Sequence, residues 1–327
     1  MAIGIQWIIY KLNNAPVKSL MHFLRLVRWP NLLFILLAES LFHFCIYKPL
    51  YPNVAITADY PFYFIVATSI CIAAAGYIIN DYFDVNIDQV NKPKMVVVGA
   101  YISRRWVIFW HLILSMGGVY LSLIVFPFQQ YLHIHFSNLA TILILWFYST
   151  NFKRDFLIGN VVIAVLTAWT IGVVYFSKFT LIQLVNPTSM LPTDLKFFKL
   201  MLLYSSFAFI ITLIREALKD MEDIGGDEKF GCKTMPIAWG LQTTKVYVAV
   251  WLMVLILVLT IIQLYAIPFG WWIPITYCVL TIITPLVYVL FHLKQAFTNK
   301  DFNRLSNLIK FAMLMGILSM CFFYFVL

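Results

Sequence analysis

Nine apolar stretches, most of them close to twenty residues long, punctuate the chain: Asn31 to Tyr47, Phe62 to Ile79, Trp106 to Phe126, Ile134 to Tyr148, Phe156 to Tyr175, Phe197 to Ile214, Val246 to Tyr265, Trp271 to Leu293 and Leu308 to Leu327. About twenty apolar residues wound as a helix cross the ~30 Å hydrocarbon core of a bilayer, and a helix satisfies its own backbone there. The pattern predicts an all-α integral membrane protein with nine transmembrane helices. No polar stretch between them is long enough for a separate water-soluble module, so residues 1–327 read as a single transmembrane domain, with 1–30 as a cytoplasmic or interfacial N-terminal segment. The stretch Ile3 to Tyr10 has no basic region before it and no small-residue cleavage site after it, which argues for an interfacial segment over a signal peptide.

Composition narrows the class. Hydrophobic residues make up 62% of the chain and charged ones 11%, whereas soluble domains carry about a quarter charged residues; a soluble enzyme is excluded. With the N-terminus inside, only Lys48, Lys178, Lys196 and Lys199 of the 23 lysines and arginines fall outside. Membrane insertion imposes that bias, and one helix more or fewer in mid-chain would destroy it. No basic run interleaves with aromatics in a soluble segment, so the net charge of +9 suits a bilayer and not nucleic acid. The five cysteines are scattered and form no CxxC, which indicates neither a disulfide framework nor a zinc site.

The acids follow a different distribution. Eight of the 14 lie in two windows, Asn80 to Asp88 (NDYFDVNID) and Asp220 to Glu228 (DMEDIGGDE), each containing DxxDxxxD. If the helix continues, positions i, i+3 and i+7 share a face. Each carboxylate would cost about 2.5–3.5 kcal/mol at the bilayer centre, so the rows belong at the interface or in a wet cavity. Like charges this close call for a cation. A hard divalent ion, Mg²⁺ above all, takes oxygen ligands and completes its shell with substrate phosphate, so the windows predict diphosphate binding. Both follow helices running the same way, and their first aspartates are 139 residues apart, the spacing of two parallel pseudo-repeats plus one extra helix.

Around these windows the chain resembles the UbiA superfamily of intramembrane prenyltransferases. RWPN (Arg28 to Asn31), YSTNFKR (Tyr148 to Arg154) and KDMEDIGGDEKFGCKTMPI (Lys219 to Ile237) match as well, and the resemblance covers nearly the whole chain. The last segment is most similar to the geranylgeranylglycerol-phosphate geranylgeranyltransferases of ether-lipid biosynthesis. The resemblance implies nine helices around a central cavity. It also implies Mg²⁺-dependent transfer of a prenyl group, geranylgeranyl in that branch, from its diphosphate to a lipid-soluble acceptor such as geranylgeranylglycerol phosphate. An aromatic quinone precursor, 4-hydroxybenzoate or dihydroxynaphthoate, is the alternative acceptor. Asn80, Asp81, Asp84, Asp220 and Asp223 would hold Mg²⁺, and Asp84, Asp88 and Asp227 would act in catalysis. Lys153 and Arg154 correspond to a basic pair near the diphosphate, to which Lys92, Lys94, Lys219 and Lys233 would add charge; each of these also reads as an ordinary positive-inside residue. Relatives continue the first window with N-x-P-x-R-P-x-x-S-G, whereas Asn91 to Gly99 reads NKPKMVVVG, one residue shorter and without that arginine and second proline.

Glu39 is the one acid inside an apolar run. Intramembrane acids face the bundle interior, so it reads either as a catalytic base or acceptor contact, or as a hydrogen-bonded structural residue. The expected setting is multi-pass, the cell membrane in a bacterium, with the N-terminus and active site on the cytoplasmic side. The bilayer and the two lipid substrates are the expected partners, without an obligatory protein partner. A cation-coupled secondary transporter is the rival class, but transporter sites lie near the midplane, often between inverted repeats.

Overall fold

The structure is a computed structural model that describes residues 19–54, 59–186 and 191–327. The expected interfacial stretch Ile3 to Tyr10, with Lys11 and Lys18, lies outside the described residues. Among the described residues nine helices are long and apolar enough to cross a membrane: α1 (Trp29–Leu50), α2 (Tyr60–Asn91), α3 (Arg104–Val125), α4 (Leu132–Thr150), α5 (Ile158–Phe176), α6 (Pro192–Lys229), α7 (Leu241–Phe269), α8 (Trp272–Leu293) and α9 (Asn299–Phe325). No strand accompanies them in those residues. The expected all-α, nine-helix membrane architecture is the one observed.

Two helices outrun their apolar stretches. The 32 residues of α2 and the 38 of α6 correspond to about 48 and 57 Å at a 1.5 Å rise per residue, well beyond a ~30 Å hydrocarbon core. The excess includes the C-terminal turns that carry the two acidic windows, which are therefore helical, with Asp81, Asp84 and Asp88 on one helix and Asp220, Asp223 and Asp227 on the other. Two other helices relax locally. Both α1 and α8 contain a π-helical stretch, Phe42–Tyr47 and Val279–Ile283, just before Pro49 and Pro285. Proline cannot donate its backbone hydrogen bond and crowds the preceding turn, and the wider π turn accommodates both effects.

Helices α2 and α6 form the spine. The former packs mainly on α3 and α4, the latter on α5, α9 and α7, and the two also touch each other. One apolar cluster gathers α6 to α9 around Ile214, Leu252, Leu286 and Ile309. A second gathers α1, α2, α5 and α6 around Phe42, Ile65, Val174 and Phe197, at the end of the bundle opposite the acidic windows. Between them a cavity of about 270 Å³ remains open, walled by α1, α2, α4, α5, α6 and α9.

Candidate active site

Each aspartate expected to hold a metal is met by a donor from a different part of the chain. Arg28, immediately before α1, places its Nη2 2.6 Å from Asp81 Oδ1. Asn80 donates to Asp84 Oδ2 at 2.8 Å, and Lys153, in the turn between α4 and α5, donates to the same oxygen. Asn160 at the start of α5 donates to Asp220 Oδ2 at 2.8 Å. Lys92, just past α2, lies 2.7 Å from Asp223 Oδ2. The two windows face one another: the charge of Asp223 acts on Asp88, and that of Asp88 on Asp227.

A clasp fixes their separation. Asn91, the last residue of α2, accepts from the Gly226 backbone N–H at 2.8 Å and donates to the Asp223 carbonyl at 3.1 Å. The clasp depends on glycine, because a Cβ on residue 226 would fall 2.3 Å from the Asn91 side-chain oxygen and push the amide away. The GG within the second window thus lets the end of α2 close directly onto α6.

Charge at the mouth is tuned by its surroundings. Burial works against the Arg28 guanidinium, but Asp81, with Tyr77 and Asp88 adding to it, outweighs burial and holds the group above its ordinary value. Arg28 adopts φ 49°, a left-handed conformation that costs a non-glycine residue about 1–3 kcal/mol. From there it reaches Asp81 and lies 5.4 Å from the Tyr77 ring. Burial pushes Lys153 down to about 8, with Arg28 acting in the same direction and Asp227 and Asp81 opposing.

Below this charged rim the cavity begins. Its polar mouth includes Arg28, Asn31, Asn80, Arg215, Glu216 and Lys219, and its depth is lined by Phe34, Ile35, Ile72, Leu166 and Trp169 among others. Lys219 is paired with Glu216 at 3.0 Å. The remaining expected residues lie elsewhere. Lys94, Arg154 and Lys233 are exposed and have no side-chain hydrogen bond or ion pair among the described residues; the Lys233 backbone N–H tethers the turn through the Arg154 carbonyl at 2.7 Å. Glu39 is completely buried with Ser69 as its polar neighbour, behind a cavity wall that Ala38 and Ser69 form.

Three participants escaped the sequence reading. Arg28 stood in a noted motif, RWPN, but counted only as a topogenic charge. Asn91 opened the noted segment NKPKMVVVG but was given no role there, and Asn160 carries no charge and sits outside every noted motif, so nothing in the local pattern marked it.

Among the described residues no three His, Cys, Asp or Glu side chains converge as a preformed metal cage. The donor set nevertheless suits Mg²⁺, which takes one or two carboxylates and fills its shell with water and substrate phosphate. Asn80 Oδ1, buried and without a hydrogen-bond partner, is an oxygen ligand left over at the cavity mouth.

Comparison with known proteins bears on the family and the fold. A digeranylgeranylglyceryl phosphate synthase from Sulfurisphaera tokodaii is 29% identical over 228 residues, 68% of this chain and 72% of that one. One from Methanosphaera stadtmanae is 29% identical over 262 residues, 79% and 86% of the two chains. A solved structure of a digeranylgeranylglyceryl phosphate synthase superposes with a TM-score of 0.61 at 20% identity, covering 95% of this chain and all of that one. A UbiA homologue from Archaeoglobus fulgidus, bound to DMAPP and Mg²⁺, gives 0.55 at 15% identity over 91% of this chain and 98% of that one. The family model of the UbiA prenyltransferases matches residues 33–325, and with nearly the whole chain so covered, this protein belongs to the UbiA prenyltransferase family.

Proposed function

We propose that the chain transfers a geranylgeranyl group from its diphosphate to geranylgeranylglycerol phosphate, at the cytoplasmic end of the bundle and with Mg²⁺. The observation that carries the reading is the pair of carboxylate windows facing across the mouth of a cavity that turns apolar directly beneath them. A diphosphate with a long hydrocarbon tail has the same polarity profile. The Sulfurisphaera and Methanosphaera relatives support the choice of donor and acceptor, and the Archaeoglobus homologue supports the metal.

Asn80, Asp81, Asp84, Asp220 and Asp223 are the residues that would hold Mg²⁺, which supplies electrophilic stabilisation of a leaving diphosphate. The protein's own cations add to it. Arg28, Lys92 and Lys153 neutralise aspartates in this structure and lie where phosphate oxygens would take over as their partners. The allylic C–O bond breaks with its electron pair leaving on the diphosphate, and a lone pair of the acceptor hydroxyl forms the new C–O bond. The hydroxyl proton passes to a carboxylate oxygen; Asp88 and Asp227 make no side-chain hydrogen bond or ion pair among the described residues and are the groups free to take it. The apolar walls hold the tail and keep water from the allylic carbocation that departure of the diphosphate leaves.

The test uses purified protein, Mg²⁺ and geranylgeranyl diphosphate with geranylgeranylglycerol phosphate, 4-hydroxybenzoate and dihydroxynaphthoate offered separately. Product from the glycerol phosphate lipid, abolished by chelation, is the expected result. Product from an aromatic acceptor alone would move the enzyme to a quinone pathway.

A further inference from the structure

A second cavity, of about 150 Å³, lies between α6, α7, α8 and α9, further from the aspartates than the first. Its wall is almost wholly apolar, with Leu259, Ala266, Pro274, Cys278 and Ile282 among the lining residues. Tyr204 and Phe207 of α6 line both cavities.

This partition is a built feature. The Phe207 ring sits in a notch left by Gly316 of α9, where a Cβ would fall 2.3 Å from Phe207 Cε1. Beside it the Tyr204 and Ser319 hydroxyls lie 3.0 Å apart, and Ser319 also donates to the Gly316 carbonyl at 2.6 Å. These polar groups are spent on one another, so the space beyond the partition offers a ligand little but hydrocarbon.

Distance suggests the occupant. Phe207 precedes Asp220 by thirteen residues on one continuous helix, which places the partition about 20 Å below the carboxylates at 1.5 Å per residue. An extended geranylgeranyl chain anchored by its diphosphate has a comparable reach, and its far end arrives at Phe207. Resting on the function proposed above, we infer that the second cavity is an annex to the prenyl-chain site, closed to a geranylgeranyl chain by Phe207 and able to house the further isoprene unit of a longer donor, so that Phe207 sets how long a chain is accepted.

The experiment compares kcat/KM for geranylgeranyl diphosphate and for its homologue one isoprene unit longer, with geranylgeranylglycerol phosphate as acceptor. Phe207→Ala is expected to raise the ratio of longer to shorter donor by about tenfold or more, the discrimination that hydrocarbon contacts in a pocket typically supply. Phe207→Leu should give a smaller rise, and it carries the test should the alanine variant not fold. Adding Ala266→Phe, which fills the annex from its far wall, should return the ratio towards wild type. A ratio unchanged in both Phe207 variants overturns the annex, as would happen if a bilayer acyl chain occupied it. A rise that survives Ala266→Phe also overturns it, because the extra length would then be housed in the first cavity. A wild type that consumes no prenyl diphosphate overturns the proposed function and the annex with it, whereas normal turnover with a flat ratio overturns the annex alone.

Discussion

At one end of the bundle Asp81, Asp84 and Asp223 meet Arg28, Lys153 and Lys92; at the other, Asp59 meets His43 at 3.0 Å and Lys48 at 2.8 Å, while Tyr51 donates to Asp194. Pairing alone does not distinguish the two. The difference lies in what is left over. Both oxygens of Asp59 are taken, and Asp194 accepts from Tyr51 on one oxygen and from the Leu191 backbone N–H on the other. Aromatic rings close around them, with His43 stacked 3.9 Å from Phe62 and Phe197 set between Phe42 and Tyr175. At the aspartate end, by contrast, the Asp88 and Asp227 carboxylates are unspent, and Asn80 Oδ1 is left over at the mouth of an open cavity. Carboxylates whose oxygens are all taken serve stability, whereas unspent oxygens beside a cavity leave valence for a ligand.

The sharpest way to break this comparison is to remove one carboxylate at each end. Asp84→Ala or Asp223→Ala should lower kcat/KM by about a thousandfold, the scale of losing a main electrostatic contact to a leaving group. Asp59→Asn should leave turnover of the folded protein unchanged. Equal losses at both ends would erase the distinction. Next in size is the clasp between windows: Gly226→Ala drives Asn91 off the second helix, and a positioning contact of this kind is worth about 10–100-fold in activity. If Gly226→Ala and Asn91→Ala both turn over normally, the separation of the windows is not set by that contact.

Tyr51→Phe probes the other end. It removes a donor from a buried Asp194 oxygen, which costs about 1–3 kcal/mol; a lower melting temperature with an unchanged kcat is expected, and a fall in kcat without loss of stability would reassign the cluster to function.

How far each end was legible in the sequence follows from the same contrast. Nine spans and two aspartate rows could be read because hydropathy and spacing are local properties. The spans were drawn too short at the acidic ends: Ile79 and Ile214 end the apolar runs, but α2 and α6 continue to Asn91 and Lys229. Hydropathy marks where a helix leaves lipid, not where it stops. The partners of the aspartates were partly hidden, since Asn160 and Arg28 reach Asp220 and Asp81 from 60 and 53 residues away. The opposite end was invisible: Asp59, His43 and Lys178 occur singly, and only the fold assembles them. Glu39 shows the limit of a one-residue signal, because its burial was foreseeable but its place behind the cavity wall was not.

Lys178, just beyond α5, gives the finest test of the closed end. Its ammonium lies 4.3 Å from the Tyr47 ring and 5.7 Å from Phe62. Burial lowers it to about 8; Asp59 pulls the other way and Lys48 reinforces the fall. Because the folded value lies below the unfolded one, the buried charge counts against the fold at pH 7. Between pH 8 and about 10.5 the unfolded chain keeps a proton that the folded chain has released, so stability rises with pH across that window. Partial exposure screens the effect to about 1–2 kcal/mol. Lys178→Met should therefore melt higher than wild type at pH 7 and lose the extra rise between pH 8 and pH 10, with tryptophan fluorescence as the readout. Parallel melting curves for the two proteins across that range would mean that water already reaches Lys178, and that the end opposite the aspartates is less closed than its aromatic packing implies.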